Sequence, residues 1–173
     1  MWRIICILVL SGLAASLAVA GESSSVVRAA ASAGVGRGAV AYDSGNMFLP
    51  ETSWLVSGGI WWSDYVVSAR YARVGIDAGI AELAVVWERV MVRGEWLVSV
   101  GLGPGLIGRR YGNVTDGPDD ESFSRLGVAW QAGVQSGARR SAGIGLVAFG
   151  SVAGSRSCGG LAVVGRLGNV GLR

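Results

Sequence analysis

Residues 125–135 of this chain, RLGVAWQAGVQ, alternate between two kinds of side chain. The even-numbered positions carry Leu, Val, Trp, Ala and Val, and the odd-numbered positions carry Arg, Gly, Ala, Gln, Gly and Gln. A period of two residues is typical of a β-strand with one apolar face. The same period recurs in the segments around Trp96 and Leu161 and, apart from Arg89, over residues 81–91. After residue 20 no segment shows a sustained helical repeat, so we expect an all-β protein.

Runs of this kind, separated by turn residues, predict eight strands. They span residues 26–42, 52–61, 65–74, 81–91, 95–108, 124–136, 141–152 and 158–169. The seventh run is the least regular, because its alternation is blurred around Val147 and Phe149.

The connections between these strands alternate in length. Those after strands one, three, five and seven are longer, at 43–51, 75–80, 109–123 and 153–157. Those after strands two, four and six are tight, at 62–64, 92–94 and 137–140. An even strand count with short turns at one end and longer loops at the other is typical of outer-membrane barrels. The pattern therefore predicts an eight-stranded antiparallel up-and-down transmembrane β-barrel.

The composition agrees with a packed protein and excludes several classes. The 173 residues are 51% hydrophobic and 16% charged, with 29 glycines that follow no collagen repeat, and this composition argues against disorder. All 15 basic residues are arginine, and with 12 acidic residues the net charge is +3, so no basic stripe points to a nucleic-acid partner. The chain has no histidine, the commonest general base and metal ligand. We expect no catalytic residues, no metal and no cofactor.

Residues 1–20 have the features of a secretory signal peptide. Arg3 is followed by an apolar core and then by Ala18-Val19-Ala20, a small-residue cleavage site before Gly21. The alternative is an uncleaved anchor, but the apolar run is shorter than the roughly 20 residues of a spanning helix. We therefore predict one barrel domain over residues 21–173, with Cys158 as its one cysteine, and export through the inner membrane.

The two faces of the predicted strands differ in the size and polarity of their side chains, and this difference indicates whether water or lipid surrounds the barrel. A soluble barrel points its bulky face inward, whereas a membrane barrel points that face at lipid and keeps small and polar residues inside. Since 16% charge is low against the roughly 25–35% suited to a soluble surface, we expect the bulky face to contact lipid. The polar residues then predicted in the lumen are Arg70, Glu82, Glu88, Glu95, Arg125, Gln131, Gln135 and Arg166. A plug of ion pairs and a narrow pore or small-ligand pocket are both compatible with them.

Aromatic residues are predicted to form two girdles at the membrane interfaces, where amphipathic rings favour the headgroup level. The girdle at the short-turn end comprises Trp61, Trp62, Tyr65, Trp87 and Trp96. The girdle at the long-loop end comprises Tyr42, Trp54, Tyr71 and Phe149. Trp130 lies in mid-strand and belongs to neither.

Residues 141–169, SAGIGLVAFGSVAGSRSCGGLAVVGRLGN, form a Gly-rich strand, a short loop and a final strand that ends in Arg-Leu-Gly. This stretch resembles the closing hairpin of the small eight-stranded outer-membrane barrels, the OmpA-like, OmpX-like and porin-like type. The resemblance covers residues 21–173 as a pattern and implies an outer-membrane location. Such barrels commonly finish on an aromatic residue, whereas this chain finishes on Gly-Leu-Arg, so we expect either a short C-terminal tail or a different mode of insertion.

Two local motifs are expected to carry no chemistry. Gly103-Pro104-Gly105-Leu106-Ile107-Gly108 matches a dinucleotide fingerprint in spacing but lies inside an alternating strand, with no helix to follow. The acidic run 116–121 lacks the ligand spacing of an EF-hand and is more typical of a solvated loop. Membrane-embedded hydrolases that resemble this architecture use a histidine, which this chain lacks.

Three functions remain open at this point. The leading hypothesis is a non-enzymatic outer-membrane barrel in contact with lipid, with a structural, surface-interaction or small-solute role and loops 43–51 and 109–123 available for a surface ligand. The second is a soluble periplasmic lipocalin-like barrel that binds an apolar ligand in a cavity lined by Trp54, Trp87, Trp96 and Trp130. The third, an enzyme that uses the carboxylates, has the least support.

Overall fold

A computed structural model describes residues 28–41, 47–62, 64–75, 79–109 and 122–168. They form eight β-strands. The strands are β1 (Arg28–Ala41), β2 (Met47–Trp62), β3 (Tyr65–Val74), β4 (Ile80–Arg93), β5 (Trp96–Arg109), β6 (Ser122–Ser136), β7 (Ala142–Ala153) and β8 (Arg156–Gly168). Each predicted strand is present. The main difference is β2, which begins at Met47 and therefore includes residues that had been assigned to the first loop.

The eight strands form one closed barrel in chain order. Every neighbouring pair is antiparallel, and β1 pairs with β8 from Ala30↔Gly168 to Ala41↔Ser157. Closure satisfies the backbone hydrogen bonds that an open sheet would leave at its two edges, which is a requirement inside lipid. The predicted fold class is confirmed. The described residues include no helix long and apolar enough to cross a membrane.

Two sets of connections define the ends of the barrel. The long-loop end has the connections after β1, β3, β5 and β7, and the short-turn end has those after β2, β4 and β6. The prediction of a longer connection after strand seven was wrong, because Gly154 and Ser155 alone join Ala153 to Arg156. Gly154 has φ +62°, and Gly94 in the equally short β4–β5 turn has the same value. Two-residue hairpin turns require this left-handed backbone conformation, which glycine adopts readily.

The outer face of the barrel is a belt of large apolar side chains. Every strand contributes to it, as shown by residues that are all at least 50% exposed: Val35, Ile60, Val67, Val85, Leu102, Leu126, Leu146 and Leu161. The alternate, inward positions carry the buried polar and charged residues and many small residues, together with two clusters of apolar side chains. This distribution is the reverse of that in a soluble barrel and agrees with the predicted orientation of the two faces.

Trp130 has a local role on this outer face. It is paired with Gly150 across β6 and β7, and a methyl group added to Gly150 would lie 2.7 Å from the indole Nε1. The ring therefore covers backbone that the glycine leaves bare, as aromatic residues do beside glycines in other sheets. Packing against Gly150 explains why this tryptophan lies in mid-strand.

Candidate functional site

The barrel lumen holds most of the polar residues singled out by sequence, and Arg70 of β3 lies at its centre. Arg70 is 1% exposed and donates from Nε to Glu82 Oε1 on β4 at 3.0 Å, while its Nη2 pairs with the same oxygen. On the far side it donates to the carbonyl of Trp130 at 2.9 Å and to Gln131 Oε1 at 3.1 Å. A further bond reaches the Gly150 carbonyl at 3.3 Å. One guanidinium thus ties β3 to β4, β6 and β7.

Phe149 of β7 lies beside this network, and we call Arg70, Glu82, Gln131 and Phe149 the Arg70 layer. Its ring lies 5.6 Å from the Arg70 guanidinium carbon, within the range of a cation–π contact, and it is fully buried. The prediction that Phe149 belongs to an interface girdle was therefore wrong. The physical reason is its partner Gly160 on β8, which leaves the space that the ring fills: a methyl group at 160 would lie 2.9 Å from Phe149 Cζ.

An apolar cluster fills the lumen from this layer towards the long-loop end. Its members are Val40, Leu55, Ala72, Val74, Ile80, Ile107, Val147, Phe149, Ala153, Cys158, Ala162 and Val164. The sequence reasoning missed this cluster, because it expected small and polar residues throughout the interior. The blurred alternation at Val147 and Phe149 was the available signal, since both faces of β7 are apolar there.

Below the Arg70 layer, towards the short-turn end, the lumen is polar. Glu88, Gln131, Gln135 and Arg166 all line one small chamber there and are nearly buried. Ser68 Oγ donates to Glu88 Oε1 at 2.9 Å. Arg166 donates to the carbonyls of Gly168 and Gly137, at 3.0 and 2.7 Å. Six of the eight predicted lumen residues, counting Arg70 and Glu82, therefore lie inside the barrel.

Glu95 and Arg125 lie elsewhere. Glu95 is exposed in the β4–β5 turn, where its carboxylate lies 3.9 Å from Arg140 Nε, so its assignment to the lumen was wrong. The cause is that β5 begins only at Trp96, which leaves Glu95 in a two-residue turn. Arg125 is half-buried at the long-loop rim and donates to Ser155 Oγ at 3.2 Å, a position outside the central network.

A second apolar cluster lies at the short-turn end, and we call it the Trp61 cluster. Its buried members are Trp61, Val66, Val90, Leu97 and Ala138. Trp61 is 7% exposed, so the prediction that it joins an interface girdle was wrong. It shares the inward face of β2 with Ser57 and Gly59, and those small residues leave room for the indole in the lumen.

Other predicted interface aromatics do lie on the outer face. Trp87 and Trp96 are 63% and 54% exposed near the short-turn end, and Tyr65 packs edge-on against Trp87 with ring centroids 5.9 Å apart. Towards the other end the rings of Trp54 and Tyr71 lie 4.9 Å apart, and Tyr71 is buried by its neighbours. Tyr42 and the side chain of Trp62 lie outside the described residues.

Of the remaining motifs, one lies within a strand and one lies outside the described residues. Gly103 to Gly108 lie within β5, so the dinucleotide pattern has no helix to open. The acidic run 116–121 lies outside the described residues, as does the predicted signal peptide. The soluble-barrel hypothesis required four tryptophans inside, but Trp87, Trp96 and Trp130 point outward.

Solved structures share this architecture at low sequence identity. The crystal structure of Neisserial surface protein A matches with a TM-score of 0.68 and 12% identity, over 80% of this chain and 96% of that one. The crystal structure of Ail, the attachment invasion locus protein of Yersinia pestis, in complex with the heparin analogue sucrose octasulfate matches with a TM-score of 0.58 and 16% identity. That match covers 82% of this chain and 97% of the other.

The chain has the fold of the small eight-stranded outer-membrane barrels. No protein-family model matches it, and no curated protein matches it significantly in sequence. At these identities the likeness concerns the fold alone. The resemblance predicted from the closing hairpin is confirmed at that level, and the role of this barrel must be argued from its own lumen and loops.

Proposed function

We propose that this protein is a non-enzymatic β-barrel of a bacterial outer membrane, with a sealed lumen and a structural or surface-contact role. The single observation that carries the proposal is the reversed polarity of the barrel, with exposed Leu126 and Trp87 outside and the buried Arg70–Glu82 pair inside. Leaving such a belt in water would cost roughly 25 cal/mol for each Å² of apolar surface, a cost that the hydrocarbon core of a membrane removes.

The lumen supports a sealed barrel rather than a pore. An apolar cluster, the Arg70 layer and the Trp61 cluster follow one another along the barrel axis. Eight-stranded barrels are narrow enough for side chains to fill them. In planar lipid bilayers the purified protein should therefore give no stepwise current, and reproducible unitary steps from wild-type protein would overturn the sealed-lumen proposal.

Cell fractionation tests the location. The full chain should be recovered with outer membranes and should need detergent for extraction, and N-terminal sequencing should begin at Gly21 if residues 1–20 are a cleaved signal peptide. Release by osmotic shock would overturn the proposed location and favour a soluble periplasmic protein. Extraction from membranes at alkaline pH without detergent would count against an embedded barrel in the same way.

The connections after β1 and β5, which the sequence analysis assigned to residues 43–51 and 109–123, are the proposed surface-contact elements, because β1 and β5 end opposite the short turns. Ail was solved with a heparin analogue, which shows that a barrel of this fold can take a polyanionic ligand. Sucrose octasulfate is therefore a suitable first probe here. Binding that disappears when residues 110–121 are replaced by Asn-Gly supports a loop-borne site. Binding that survives this replacement argues against that loop, and no binding argues against this ligand class.

A further inference from the structure

A small polar chamber lies inside the barrel, on the short-turn side of the Arg70 layer. Its volume is about 40 Å³. Two of the residues that line it are charged, Glu88 of β4 and Arg166 of β8, and they are 5% and 3% exposed. A buried charge is costly unless an opposite charge compensates it. These two side chains therefore need compensation inside the barrel.

Neither side chain forms a direct ion pair. Among the described residues, Glu88 and Arg166 make no salt bridge with each other or with a third side chain. Glu88 Oε1 accepts a hydrogen bond from the Ser68 hydroxyl at 2.9 Å. Arg166 donates from its two Nη atoms to the carbonyls of Gly168 and Gly137. These partners are all neutral, so the opposite charge that each side chain needs lies across the chamber.

Two polar atoms of the chamber residues are buried without a protein partner. Arg166 Nε is a donor and Gln135 Oε1 is an acceptor, and neither has a hydrogen bond with any described residue. Buried polar atoms in folded proteins are nearly always satisfied, either by protein or by ordered water. Since Arg166 and Gln135 line the same chamber, a molecule held there can accept from one and donate to the other.

Water fits this chamber in size and in chemistry. A buried water needs roughly 10–15 Å³ of such space and two to four polar partners, so the chamber has room for about three molecules. Ser57 and Ser99 add hydroxyl groups to the wall, and a hydroxyl can either donate or accept. The wall thus offers a carboxylate, an amide oxygen, a guanidinium N–H and hydroxyl groups as partners for water.

The backbone beside Glu88 leaves room for its side chain. Gly101 of β5 is its partner in the β4–β5 register. A methyl group at position 101 would lie 2.5 Å from Glu88 Cγ and 2.8 Å from Glu88 Cα, so a larger residue there would displace the Glu88 side chain. Glycine at this position therefore allows Glu88 to take its place in the chamber wall.

We propose that this chamber binds about three ordered water molecules, which bridge the Glu88 carboxylate and the Arg166 guanidinium in a solvent-separated ion pair. Water accepts from Arg166 Nε and donates to Gln135 Oε1, and the chain of hydrogen bonds ends on the Glu88 carboxylate. A bridging water is nearly as favourable as a direct hydrogen bond. The two charges also attract each other across the interior, where the effective dielectric constant is far below that of bulk water.

The bridge joins two strands that are not neighbours in the barrel. β4 and β8 are four places apart in the closed order of eight, so they lie on opposite sides of the lumen. The hydrogen bonds of Arg70 tie β3 to β4, β6 and β7, and none of them reaches β8. The water-bridged pair therefore supplies a polar link across the lumen to β8, the strand that pairs with β1.

A double-mutant cycle tests the pair, with urea unfolding of the purified full-length protein in lipid vesicles as the assay. Glu88→Gln and Arg166→Met should each lower the free energy of unfolding, and the double variant should lose less than the sum of the two single losses. Arg140→Gln, at an exposed position of the same end, should be additive with Glu88→Gln. Additive losses for Glu88→Gln and Arg166→Met would overturn the proposal.

Oxygen-17 relaxation dispersion of the protein in detergent detects long-lived bound water and needs no charge variant to fold. Ser99→Val replaces a hydroxyl of the chamber wall with methyl groups, so it should lower the dispersion amplitude below that of wild type. Ser141→Val, at an exposed position, should leave the amplitude unchanged. A wild-type protein without dispersion, or an amplitude that Ser99→Val does not lower, would overturn the proposal even if the two charges prove to be coupled.

Discussion

Substitution of Arg70 tests the central layer of the barrel. The expected loss in the free energy of unfolding follows from the hydrogen bonds and the ion pair that the guanidinium forms. Arg70→Met deletes a fully buried cation and its bonds to Glu82, Gln131 and two backbone carbonyls. Glu82 would then be an uncompensated carboxylate with no solvent exposure. Breaking a buried ion pair from one side typically costs about 3–5 kcal/mol, and we expect a loss of that size in the free energy of unfolding.

The partner substitution is expected to be milder. Glu82→Gln keeps an oxygen near Arg70, and Gln131 Oε1 with the Trp130 and Gly150 carbonyls still accept from the guanidinium. The hydrogen bonds from Arg70 Nε and Nη2 would then end on a neutral amide oxygen in place of a carboxylate, and we expect a cost of roughly 1.5–3 kcal/mol. Arg70→Met combined with Glu82→Gln removes both charges, so its cost should fall well below the sum of the two single changes.

Urea unfolding of the barrel in lipid vesicles measures these differences, with tryptophan fluorescence as the signal because Trp87 and Trp96 lie on the outer face of the folded barrel and change surroundings when it unfolds. The retarded migration of unfolded barrel on a gel provides an independent readout. Additive effects of the two substitutions, or a loss below about 1 kcal/mol for Arg70→Met, would refute the account of this layer as a coupled, desolvated pair.

Three further predictions concern the two faces of the wall. Val128→Arg on the outer face of β6 should lower the free energy of unfolding by about 2–4 kcal/mol, whereas Ser141→Arg in the exposed β6–β7 connection should be nearly neutral; equal effects would contradict the face assignment. Gly160→Ala should cost about 1–3 kcal/mol in the same urea assay, because the new methyl group would crowd the Phe149 ring and the Arg37 carbonyl; Gly165→Ala, which meets no atom within 4 Å, serves as its control. Cys158, buried in the lumen, should react with a maleimide only when the barrel unfolds, and fast labelling of folded protein would show that the lumen is open.

The strands and the orientation of their faces follow largely from the sequence. Period-two alternation is a local property, so residues 125–135 reveal a strand and its lipid face without knowledge of any neighbour. The loop lengths then indicate the up-and-down order. The same reasoning could not find the beginning of β2 at Met47, because the segment from Met47 to Glu51 shows no alternation.

The interior was harder to predict because it depends on pairs of residues in different strands. Phe149 enters the lumen because Gly160 lies opposite it, and Glu88 has space because Gly101 lies opposite it. Register between strands is needed to recognise either match. Glu95 shows the converse problem, since a shift of one residue at a strand end moves a charge from the lumen to a turn.

The pairing of β1 with β8 has a consequence for how the barrel folds. It joins the first and last strands of the described chain. A sheet of only seven of these strands would have two open edges, and the unpaired backbone groups at those edges would be costly in hydrocarbon. The last pair of edges to close must therefore be joined before either edge can lie in hydrocarbon without unsatisfied backbone groups, and in the finished barrel β1 and β8 are distant in sequence but direct neighbours.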